Sequence, residues 1–542
     1  MMDQQQARLW LAIVLSMLVW LAYDHYILAP SRHAPENQTE VAEGTKESMP
    51  EPDAPQAVPE KTDRSTALPT EEATPGAEGL RAAPSGTPIT IETPLFSATI
   101  TPAGGRLTSF RLKRYRTTVD EESPPLELVD QTQSAILPLT AWIGRKGSDA
   151  GVDYDNNRTS FVLTADETAL LVLRGTIDGS AIEKTIRLDG STYLLGVDVV
   201  VSGPEPPASI SLVVPKLADT GGYSRGGDHA VAISDGRLIE HSLDQMKKEA
   251  SRSESVDWAG FSGTYFASVG VPVGTTATVV FGASGADPVV RLDSAAKDGT
   301  ASYLVLMGPK DRQLLEAYGH SFERLVDYGW FWFIASPMLW LLHRIHDVVA
   351  NYGIAIIVIT VLLKAVTFPL NQTSMRSMRK MQEIQPLMER LRERHKDDPA
   401  AMQRDMMELY KKHKVNPFSG CLPMLIQIPI FIALYNGLLR DIALRHAPFV
   451  GWINDLSAPD RLQVAGLPFG IPVLTLLMGA SMLLQQLTAP AQGDPNQRRI
   501  MMIMPVVFTY MFIHFPAGLV LYWLVNNVIS IGQQYLALRP TT

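Results

Sequence analysis

The hydrophobic pattern along this 542-residue chain has two periodicities, one typical of membrane helices and one typical of β-strands. Apolar runs that approach the roughly 20 residues needed to cross a hydrocarbon core of about 30 Å occur once near the N-terminus and five times in the C-terminal part. These runs are residues 9–23, 352–370, 422–439, 469–484, 500–515 and 518–531. The pattern predicts a polytopic α-helical membrane protein with six spans, several of them short enough to need tilt or local thinning of the bilayer.

The segment between the first two apolar runs has the pattern of short β-strands. Stretches such as "AIEKTIRL" and "TYLLGVDVVVSG" are rich in β-branched residues, and the Asp-Gly pairs at 178–179 and 189–190 favour hairpin turns. We therefore predict an all-β sandwich domain at residues 89–325. Ahead of it, residues 29–88 contain ten prolines and few aromatic residues. Such a composition cannot bury enough apolar surface to fold, and it predicts a disordered linker.

The first apolar run predicts an N-terminal transmembrane anchor at residues 1–28. A cleaved signal peptide is the alternative interpretation, because the apolar core spans only residues 9–23. Trp10, Trp20 and Tyr23 are bulky for a signal peptide, and the stretch "ILAPSRHA" is a poor small-residue cleavage site. The uncleaved anchor is therefore the preferred interpretation.

Charge predicts the orientation of the spans. Residues 371–420 contain 11 Lys/Arg against 7 Asp/Glu, whereas residues 29–347 contain 28 Lys/Arg against 43 Asp/Glu. Because positively charged loops stay in the cytoplasm, residues 371–420 and both termini are predicted to be cytoplasmic and the β domain to lie outside. A further span at residues 326–350 would place the basic residues 371–420 on the outer side of the membrane. That aromatic stretch is therefore predicted to be an interfacial amphipathic helix.

The remaining boundaries follow from the apolar runs. We predict a second span at 351–371, a cytoplasmic helical hairpin at 372–420, a third span at 421–440, an external loop at 441–467, a fourth span at 468–487, a cytoplasmic loop at 488–498, a fifth span at 499–515, a sixth span at 516–536 and a short cytoplasmic tail at 537–542. In the hairpin, apolar residues at three- and four-residue spacing predict two amphipathic helices. The second helix is predicted to begin with Asp398 as its N-cap and Pro399 in its first turn.

Polar residues form stripes inside the predicted spans. Thr360, Lys364, Thr367 and Asn371 lie on one face of the second-span helix, because they are spaced at i, i+4, i+7 and i+11. Polar residues in the other spans are Tyr522, Asn526, Ser530 and Gln533 in the sixth, Gln427 in the third, and Ser481 and Gln485 in the fourth. Intramembrane polar residues normally face a hydrated interior, so these stripes predict a wet groove open to the cytoplasm. Snorkelling of Lys364 to the membrane surface is the alternative, but it gives the deeper Thr360 no role.

Methionine is concentrated in the same part of the chain. Fourteen of the 21 methionines lie between Met375 and Met511. Methionine is flexible and is over-used where a surface must accept varied apolar partners, although it also fills gaps between packed helices. A charged groove beside adaptable apolar walls would suit a partly polar polypeptide entering the bilayer.

The sequence shows no motif for enzyme chemistry. It contains neither a phosphate-binding GxxxxGK[ST] loop nor a CxxC pair, and the single Cys421 excludes an intramolecular disulfide. His343 and His346 are three residues apart, but histidines at the lipid headgroups are a better interpretation than metal ligands. We therefore expect no enzyme activity, no cofactor and no metal.

Five stretches of the C-terminal part carry a family resemblance. They are "DYGWFWFIASP", "LLKAVTFPLNQTSMRSMRKMQEIQP", "MMELYKKHKVNPFSGCLPMLIQIPIFIALYNGL", "APFVGWINDLSAPD" and "FPAGLVLYWLVNNVISIGQQ". Together they resemble the YidC family of bacterial membrane protein insertases over residues 308–536. The preceding region resembles the β-supersandwich periplasmic domain of Gram-negative members, by its layout and by short stretches such as "TPAGGRL".

The resemblance implies a function, a location and partners. Family members integrate newly made inner-membrane proteins and help them fold, alone or with the Sec translocon. They use a cytoplasm-open hydrophilic groove in a five-helix core, and the groove carries one positive charge. The implied location is the bacterial cell inner membrane, with the large domain in the periplasm. The implied partners are nascent inner-membrane proteins, Sec translocon components and the lipid bilayer, with the ribosome and the signal recognition particle receptor as further candidates.

The resemblance also assigns site residues. Lys364 matches the charged position, where the best-studied members have an arginine, and lysine keeps the charge but loses the bidentate fork. Together with the polar stripes, the resemblance assigns the substrate groove to Lys364, Thr360, Thr367, Gln427, Tyr522, Trp523, Asn526 and Ser530. The residues assigned to cytoplasmic contacts with substrate or partners are Met378, Met381, Met388, Met402, Met406, Arg498 and Arg499. The ending "ALRPTT" lacks the basic tail with which some relatives hold the ribosome, so docking through a tail is not expected.

Two other classes of function stay open from the residues alone. A secondary transporter of a small solute also needs intramembrane polar residues, but the internal repeats of such folds are not visible here. A membrane-tethered periplasmic carbohydrate-binding protein would place its function in the β domain, where no compact acid/base motif is found. The insertase is the preferred interpretation because it accounts for the charged groove.

Overall fold

The computed structural model describes residues 86–129, 136–218, 228–284, 287–395, 398–413, 415, 422–488 and 495–538. The predicted N-terminal anchor and nearly all of the predicted linker lie outside the described residues. The part that is described consists of an all-β region followed by a helical region. This combination confirms the predicted pairing of an all-β domain with a helical C-terminal part.

The all-β region is built from strands in the following order. They are β1 Ile89–Glu92, β2 Phe96–Thr101, β3 Arg106–Arg116, β4 Pro125–Glu127, β5 Thr140–Ile143, β6 Gly147–Ser148, β7 Asp155–Asn156, β8 Ser160–Val162, β9 Thr168–Ile177, β10 Ser180–Asp189, β11 Leu194–Ser202, β12 Ser209–Pro215, β13 His229–Ser234, β14 Arg237–Ser242, β15 Ser251–Ser262, β16 Phe266–Val273, β17 Ala277–Ser284, β18 Asp287–Ala295 and β19 Thr300–Pro309.

These strands form two sheets. The smaller sheet has five strands in the order β4-β3-β2-β1-β8, and only its β1–β8 pair is parallel. The larger sheet has 14 strands, with the main path β6-β5-β12-β18-β17-β15-β16-β19-β11-β10-β9-β7 and the β13–β14 hairpin attached to β15. Buried residues of both sheets belong to one continuous apolar core, which includes Phe110, Trp258 and Phe281.

The β9–β10 hairpin shows how the local sequence produces this fold. The Asp178-Gly179 pair occupies the turn with φ angles of 43° and 74°, the left-handed region that such hairpin turns require. The two strands then pair in continuous antiparallel register from Ile177–Ser180 to Thr168–Asp189. Because side chains alternate between the faces of a strand, apolar residues of β10 such as Ile182 and Ile186 are buried.

The helices, in chain order, are α1 Leu243–Lys248, α2 Arg312–Tyr318, α3 Trp332–Val349, α4 Tyr352–Arg394, α5 Pro399–Lys412, α6 Leu422–Arg440, α7 Val473–Thr488, α8 Pro495–Phe512 and α9 Ala517–Leu538. The predicted second span and the first helix of the predicted hairpin belong to one 43-residue helix, α4, which continues through Pro369 and Pro386. Asp398 caps α5, as its sequence predicts, since its side chain accepts hydrogen bonds from Ala400 N and Ala401 N.

One helix in the described part of the chain, α4, is long and apolar enough to cross a membrane by length and composition. Three shorter apolar helical segments are found at Leu425–Arg440, Val473–Thr488 and Met501–Phe512. The stretch predicted to be an interfacial helix contains α3, which exposes Trp332, Phe333 and Trp340 while burying Leu339 and Leu342. α3 therefore presents apolar side chains to its surroundings as well as to the interior, and its position in the membrane interface stays a prediction.

The β domain packs on the helical region through the loop between α6 and α7. The Arg445 guanidinium lies 5.6 Å from the centroid of the Phe266 ring, and it also donates a hydrogen bond to the Thr117 carbonyl at 3.5 Å. At the start of the same loop, Arg440 at the end of α6 contacts Asp327. These contacts join the ends of the helices to the β domain.

Candidate functional site

A polar cavity of about 270 Å³ lies between α4, α6, α7 and α9. The described residues that line it are Lys364, Thr367, Leu370, Asn371, Ser374, Met375, Met378, Ile426, Gln427, Gln485, Asn526, Ser530, Gln533 and Gln534. Two of these helices, α4 and α9, carry the polar stripes that the sequence predicts for the second and sixth spans. The polar cavity is the place where the two stripes meet.

Lys364 supplies the charge of the polar cavity. Its side chain is largely buried, with 8% of the residue exposed, and its Nζ donates a hydrogen bond of 2.8 Å to Ser530 Oγ. Ser530 can accept this bond because its own hydroxyl hydrogen is donated to the Asn526 carbonyl at 2.7 Å. Among the described lining residues Lys364 is the only charged one, and no aspartate or glutamate accompanies it. The polar cavity is therefore a positively charged site.

The two threonines of the α4 stripe bond to their own helix. Thr360 Oγ1 donates to the Ile356 carbonyl at 2.6 Å, and Thr367 Oγ1 donates to the Leu363 carbonyl at 2.9 Å. This back-bonding satisfies a buried hydroxyl without a partner on another helix. Thr360 is 1% exposed and lies deeper than Lys364, whereas Thr367 lines the polar cavity and can only accept hydrogen bonds there.

A hydrogen bond beside the polar cavity joins α6 to α9. Gln427 Nε2 donates to Tyr522 Oη, and the Tyr522 side chain is buried. One helical turn farther along α6, Phe431 meets Trp523 edge-to-face with ring centroids 4.8 Å apart. Trp523 also packs 5.2 Å from Phe512 of α8. The polar region therefore ends at the Gln427–Tyr522 pair, and an aromatic cluster begins there.

The structure brings most of the predicted groove residues to one place. Those that line the polar cavity are Lys364, Thr367, Gln427, Asn526 and Ser530. Thr360 and Tyr522 are buried next to these residues, and Trp523 belongs to the aromatic cluster. Ser374 and Gln534 also line the polar cavity but are missing from the predicted groove set. Ser374 follows Asn371 by three residues, so extending the α4 stripe by one turn would have found it.

The predicted cytoplasmic contact residues occupy different places. Met378 lines the polar cavity, while Met381 and Met388 are half-buried farther along α4. Met402 and Met406 are half-buried on α5, which packs against α4. The side chains of Arg498 and Arg499 lie outside the described residues.

A second interhelical bond positions α7 against α9. Asn527 Nδ2 donates to Ser481 Oγ at 3.0 Å, and Ser481 Oγ donates in turn to the Met478 carbonyl at 2.6 Å. Asn527 is 3% exposed. Its neighbour Asn526 was assigned to the groove from the sequence, whereas Asn527 was not, because one chain does not indicate which of two adjacent amides meets another helix.

The two histidines of α3 have partners on other elements. His343 Nε2 lies 2.6 Å from Asp441 Oδ2, and the His346 ring stacks on Tyr352 with centroids 3.7 Å apart. Among the described residues no group of three or more His, Cys, Asp or Glu could hold a metal ion. These histidines therefore connect α3 to the end of α6 and the start of α4.

Comparison with known proteins identifies the family. The family model described as YidC periplasmic domain matches residues 88–341, and the one described as 60Kd inner membrane protein matches residues 344–542. Membrane protein insertase YidC of Nitratidesulfovibrio vulgaris is 35% identical over 549 residues, covering 98% of each chain. The chain belongs to the YidC family of membrane protein insertases.

A second relative and a solved structure are also similar to this chain. The YidC of Maridesulfovibrio salexigens is 36% identical over 475 residues, which cover 84% of this chain and 86% of the relative. A solved structure described as an active YidC insertase with its first transmembrane domain resolved covers 84% of this chain and 94% of its own, at 18% identity and a TM-score of 0.36.

Membership in the YidC family gives the two regions their identities. The all-β region falls within the match to the YidC periplasmic domain, and the helices from α4 onward fall within the match to an inner membrane protein. The transporter and the tethered carbohydrate-binding protein are not favoured by these matches, since relatives named as insertases align over nearly the whole chain.

Proposed function

We propose that this chain is a membrane protein insertase that integrates newly made inner-membrane proteins and helps them fold, alone or with the Sec translocon. The observation that carries the proposal is the buried ammonium group of Lys364 in the polar cavity of a YidC-family chain. Such a function needs no cofactor and no catalytic residue, because lowering the desolvation cost of a polar segment involves no covalent step.

The polar cavity acts on the part of a client that must cross the membrane. A polar or acidic flank leaving water loses hydration, and an ammonium group in a partly dehydrated site offers it a compensating attraction. The neutral amides and hydroxyls of Gln427, Asn526 and Ser530 supply further hydrogen-bonding groups. The flank crosses the remaining hydrocarbon from there while the apolar segment moves into the lipid.

The client itself supplies the driving force. Moving apolar surface out of water contributes about 25 cal/mol per Å², and the membrane potential contributes about 2.3 kcal/mol per charge per 100 mV. The polar cavity therefore lowers a barrier and leaves the overall free energy of insertion unchanged. Insertion driven in this way requires no nucleotide hydrolysis by this chain.

The proposed arrangement in the membrane has six spans. The anchor at residues 1–28 and the spans containing α4, α6, α7, α8 and α9 cross the bilayer, both termini are cytoplasmic, and α3 lies in the interface. This topology follows the charge distribution, in which residues 371–420 are basic and residues 29–347 are acidic. The half-buried methionines of α4 and α5 then face the cytoplasm, where a nascent segment arrives.

The proposed partners follow from this position. Nascent inner-membrane proteins and the lipid bilayer are the primary ones, and Sec translocon components, the ribosome and the signal recognition particle receptor are secondary. The end of α4 beyond Met388 carries the exposed basic residues Arg390, Arg392 and Arg394. Such a surface favours contact with polyanions such as ribosomal RNA.

The test is reconstitution of the purified full-length chain alone in liposomes, with protease-protected insertion of a two-span client such as ATP synthase subunit c as the measurement. Lys364→Glu should lower the insertion rate by about tenfold or more, since like charges at close range repel by several kcal/mol. Lys364→Arg should retain most of the activity. Lys380→Glu is the matched control, because this lysine is exposed on the same helix and does not line the polar cavity.

Two outcomes would count against the proposal in different ways. If no Lys364 substitution changes the insertion rate, the insertase function stands, but the charge of Lys364 has no role in it. No insertion above empty liposomes, with or without purified Sec translocon, would contradict the insertase itself.

A further inference from the structure

The ammonium group of Lys364 has too few acceptors for its three N–H donors. Within the described part of the chain it donates to Ser530 Oγ and forms no ion pair. The hydroxyl of Thr367, which also lines the polar cavity, donates back to the Leu363 carbonyl and so offers at most a neutral acceptor. Buried charges in proteins are normally paired, because an unpaired ion loses hydration without compensation.

The rest of the polar lining consists of neutral amides and hydroxyl groups. Asn526 and Gln485 line the polar cavity, and neither side chain is hydrogen-bonded to another described residue. Their amide groups provide N–H donors in the same cavity as the ammonium, and an amide cannot neutralise a charge. One ammonium with several amide donors is a donor set suited to an anion with several oxygens, and phosphate is the common biological anion of that kind.

The shape of the polar cavity favours a phosphate that is attached to apolar chains. The lining of α4 runs from Lys364 to Met378, a distance of about 21 Å at 1.5 Å per residue. Along this length polar residues such as Asn371 alternate with the apolar Leu370 and Met375, and Ile426 faces them from α6. A lined volume of about 270 Å³ has room for a headgroup phosphate, while whole acyl chains would have to stay outside.

We propose that, when no client is present, the polar cavity binds the phosphate group of a phospholipid headgroup, which pairs with Lys364 and is displaced by a client carboxylate. The binding of phosphate stands on the geometry alone, whereas the displacement rests on the proposed insertase function. Lipid would then serve as the resting counter-ion of Lys364. A client carboxylate would then replace a bound phosphate at Lys364. It would not enter a cavity in which Lys364 has no counter-ion.

The test uses the purified full-length chain, stripped of lipid in a non-ionic detergent, with native mass spectrometry as the binding measurement. Dioctanoyl phosphatidylglycerol is the probe, dioctanoylglycerol is the same molecule without its phosphate and headgroup, and inorganic phosphate is the free anion. The variants are Lys364→Met, Lys364→Arg and, as a matched control, Lys380→Met. Melting temperatures of all variants establish that each one is folded.

The expected result is a loss of at least about tenfold in phosphatidylglycerol affinity for Lys364→Met, the equivalent of one hydrogen bond to a charged group. Lys364→Arg should bind at least as tightly as the unchanged chain, and Lys380→Met should differ by less than about twofold. Equal binding of dioctanoylglycerol, or equal losses for Lys364→Met and Lys380→Met, would overturn the proposal. Saturation by inorganic phosphate at the same concentration would assign the site to a free anion and overturn the lipid source.

A second arm separates this proposal from the insertase function. Added phosphatidylglycerol should slow insertion of a carboxylate-bearing client by the unchanged chain and have no effect on a matched client with amides in place of its carboxylates. Specific lipid binding without any insertion would support the phosphate site and contradict the proposed function. Insertion with no Lys364-dependent lipid binding would support the proposed function and overturn the phosphate site.

Discussion

Lys364 and Ser530 form the contact that fixes the charge of the polar cavity against α9. A hydrogen bond to a charged group contributes about 1.5–3 kcal/mol, and no carboxylate among the described lining residues competes with it. A lysine has one donor atom and is positioned by this single contact, whereas an arginine would bond several acceptors in a fixed plane. The residue at this position therefore controls how freely the charge can move toward a ligand.

Gly353, in the first turn of α4, gives a prediction at the residue scale. A Cβ at this position would lie 2.0 Å from a ring carbon of Phe449, in the loop between α6 and α7. The backbone of Phe449 is held next to α4, because Asn351, the N-cap of this helix, donates to the Phe449 carbonyl at 3.0 Å. Gly353→Ala should therefore lower the free energy of unfolding by about 1–3 kcal/mol, the usual cost of overpacking, measured by denaturant titration in detergent.

The matched control for this substitution is Gly532→Ala in α9. Nothing lies within 4 Å of a Cβ built at Gly532, and alanine is the better helix former by up to about 1 kcal/mol. It should be neutral or stabilising. Equal losses at both positions would contradict the steric argument.

At the scale of whole elements, the periodicity of the sequence predicted which residues share a face better than it predicted where each element begins and ends. The spacing of Thr360, Lys364 and Thr367 placed these residues on one face of a helix, and Lys364 and Thr367 line the polar cavity. The alternating pattern and the Asp178-Gly179 turn predicted the β9–β10 hairpin, because both depend only on local geometry. Patterns of this kind are encoded within one helix or within one hairpin of consecutive strands.

Features that depend on contacts between elements distant in the sequence could not be predicted from local patterns. The continuity of α4 through Pro369 and Pro386 is an example, since proline usually ends a helix and its tolerance depends on neighbouring helices. The pairing of Asn527 with Ser481 is another, because sequence spacing does not state which helices are adjacent. Trp523 was assigned to the groove by resemblance, and its aromatic neighbours come from α6 and α8.

The cap of α5 gives a prediction at this scale. Hydrogen bonds from the backbone N–H groups of Ala401 and Ala400 lower the pKa of Asp398. Because the folded pKa is depressed, this stabilisation is present above the unfolded pKa and is lost as the pH falls through the folded value. Asp398→Ala should speed amide hydrogen exchange in the first turn of α5 by about fivefold at neutral pH.

Two variants make the cap prediction specific. Asp398→Asn should keep most of the protection, since its amide oxygen accepts the same bonds. Glu408→Ala, on an exposed position of α5, should leave the exchange of the first turn unchanged. If amide exchange became faster throughout α5 in both Asp398→Ala and Glu408→Ala, the cause would be a general loss of helix stability and not the loss of the cap.

At the scale of the whole molecule, the β domain and the helices share a charged junction. Lys310 follows β19, and its buried Nζ donates to Ser262 Oγ at 2.9 Å and to the Gly263 carbonyl at 2.8 Å. The charged groups that act on it are Arg440 at the end of α6, Glu240 on β14, Asp327 and Asp228. The protonation state of Lys310 therefore depends on groups from both the β domain and the helices.

Burial lowers the pKa of Lys310 from 10.5 to about 7, with Arg440 acting in the same direction and the three carboxylates opposing it. The folded state then binds fewer protons than the unfolded state between these two values, so stability rises with pH across that window. Relative to Lys310→Met, the free energy of unfolding should rise by about 1.4 kcal/mol per pH unit from about pH 7 to about pH 10. Below about pH 6 the difference between the two proteins should be constant.

The measurement is denaturant unfolding of the full-length chain and of Lys310→Met at pH values from about 6 to about 10. Lys248→Met is the control, because Lys248 is an exposed lysine of the same domain and its removal should leave the pH dependence unchanged. The methionine at position 310 also leaves Ser262 Oγ and Gly263 O without their donor. This loss lowers the free energy of unfolding by the same amount at every pH, so it does not change the slope of stability against pH. Parallel curves for the unchanged chain and Lys310→Met would mean that Lys310 stays protonated in the junction throughout this range.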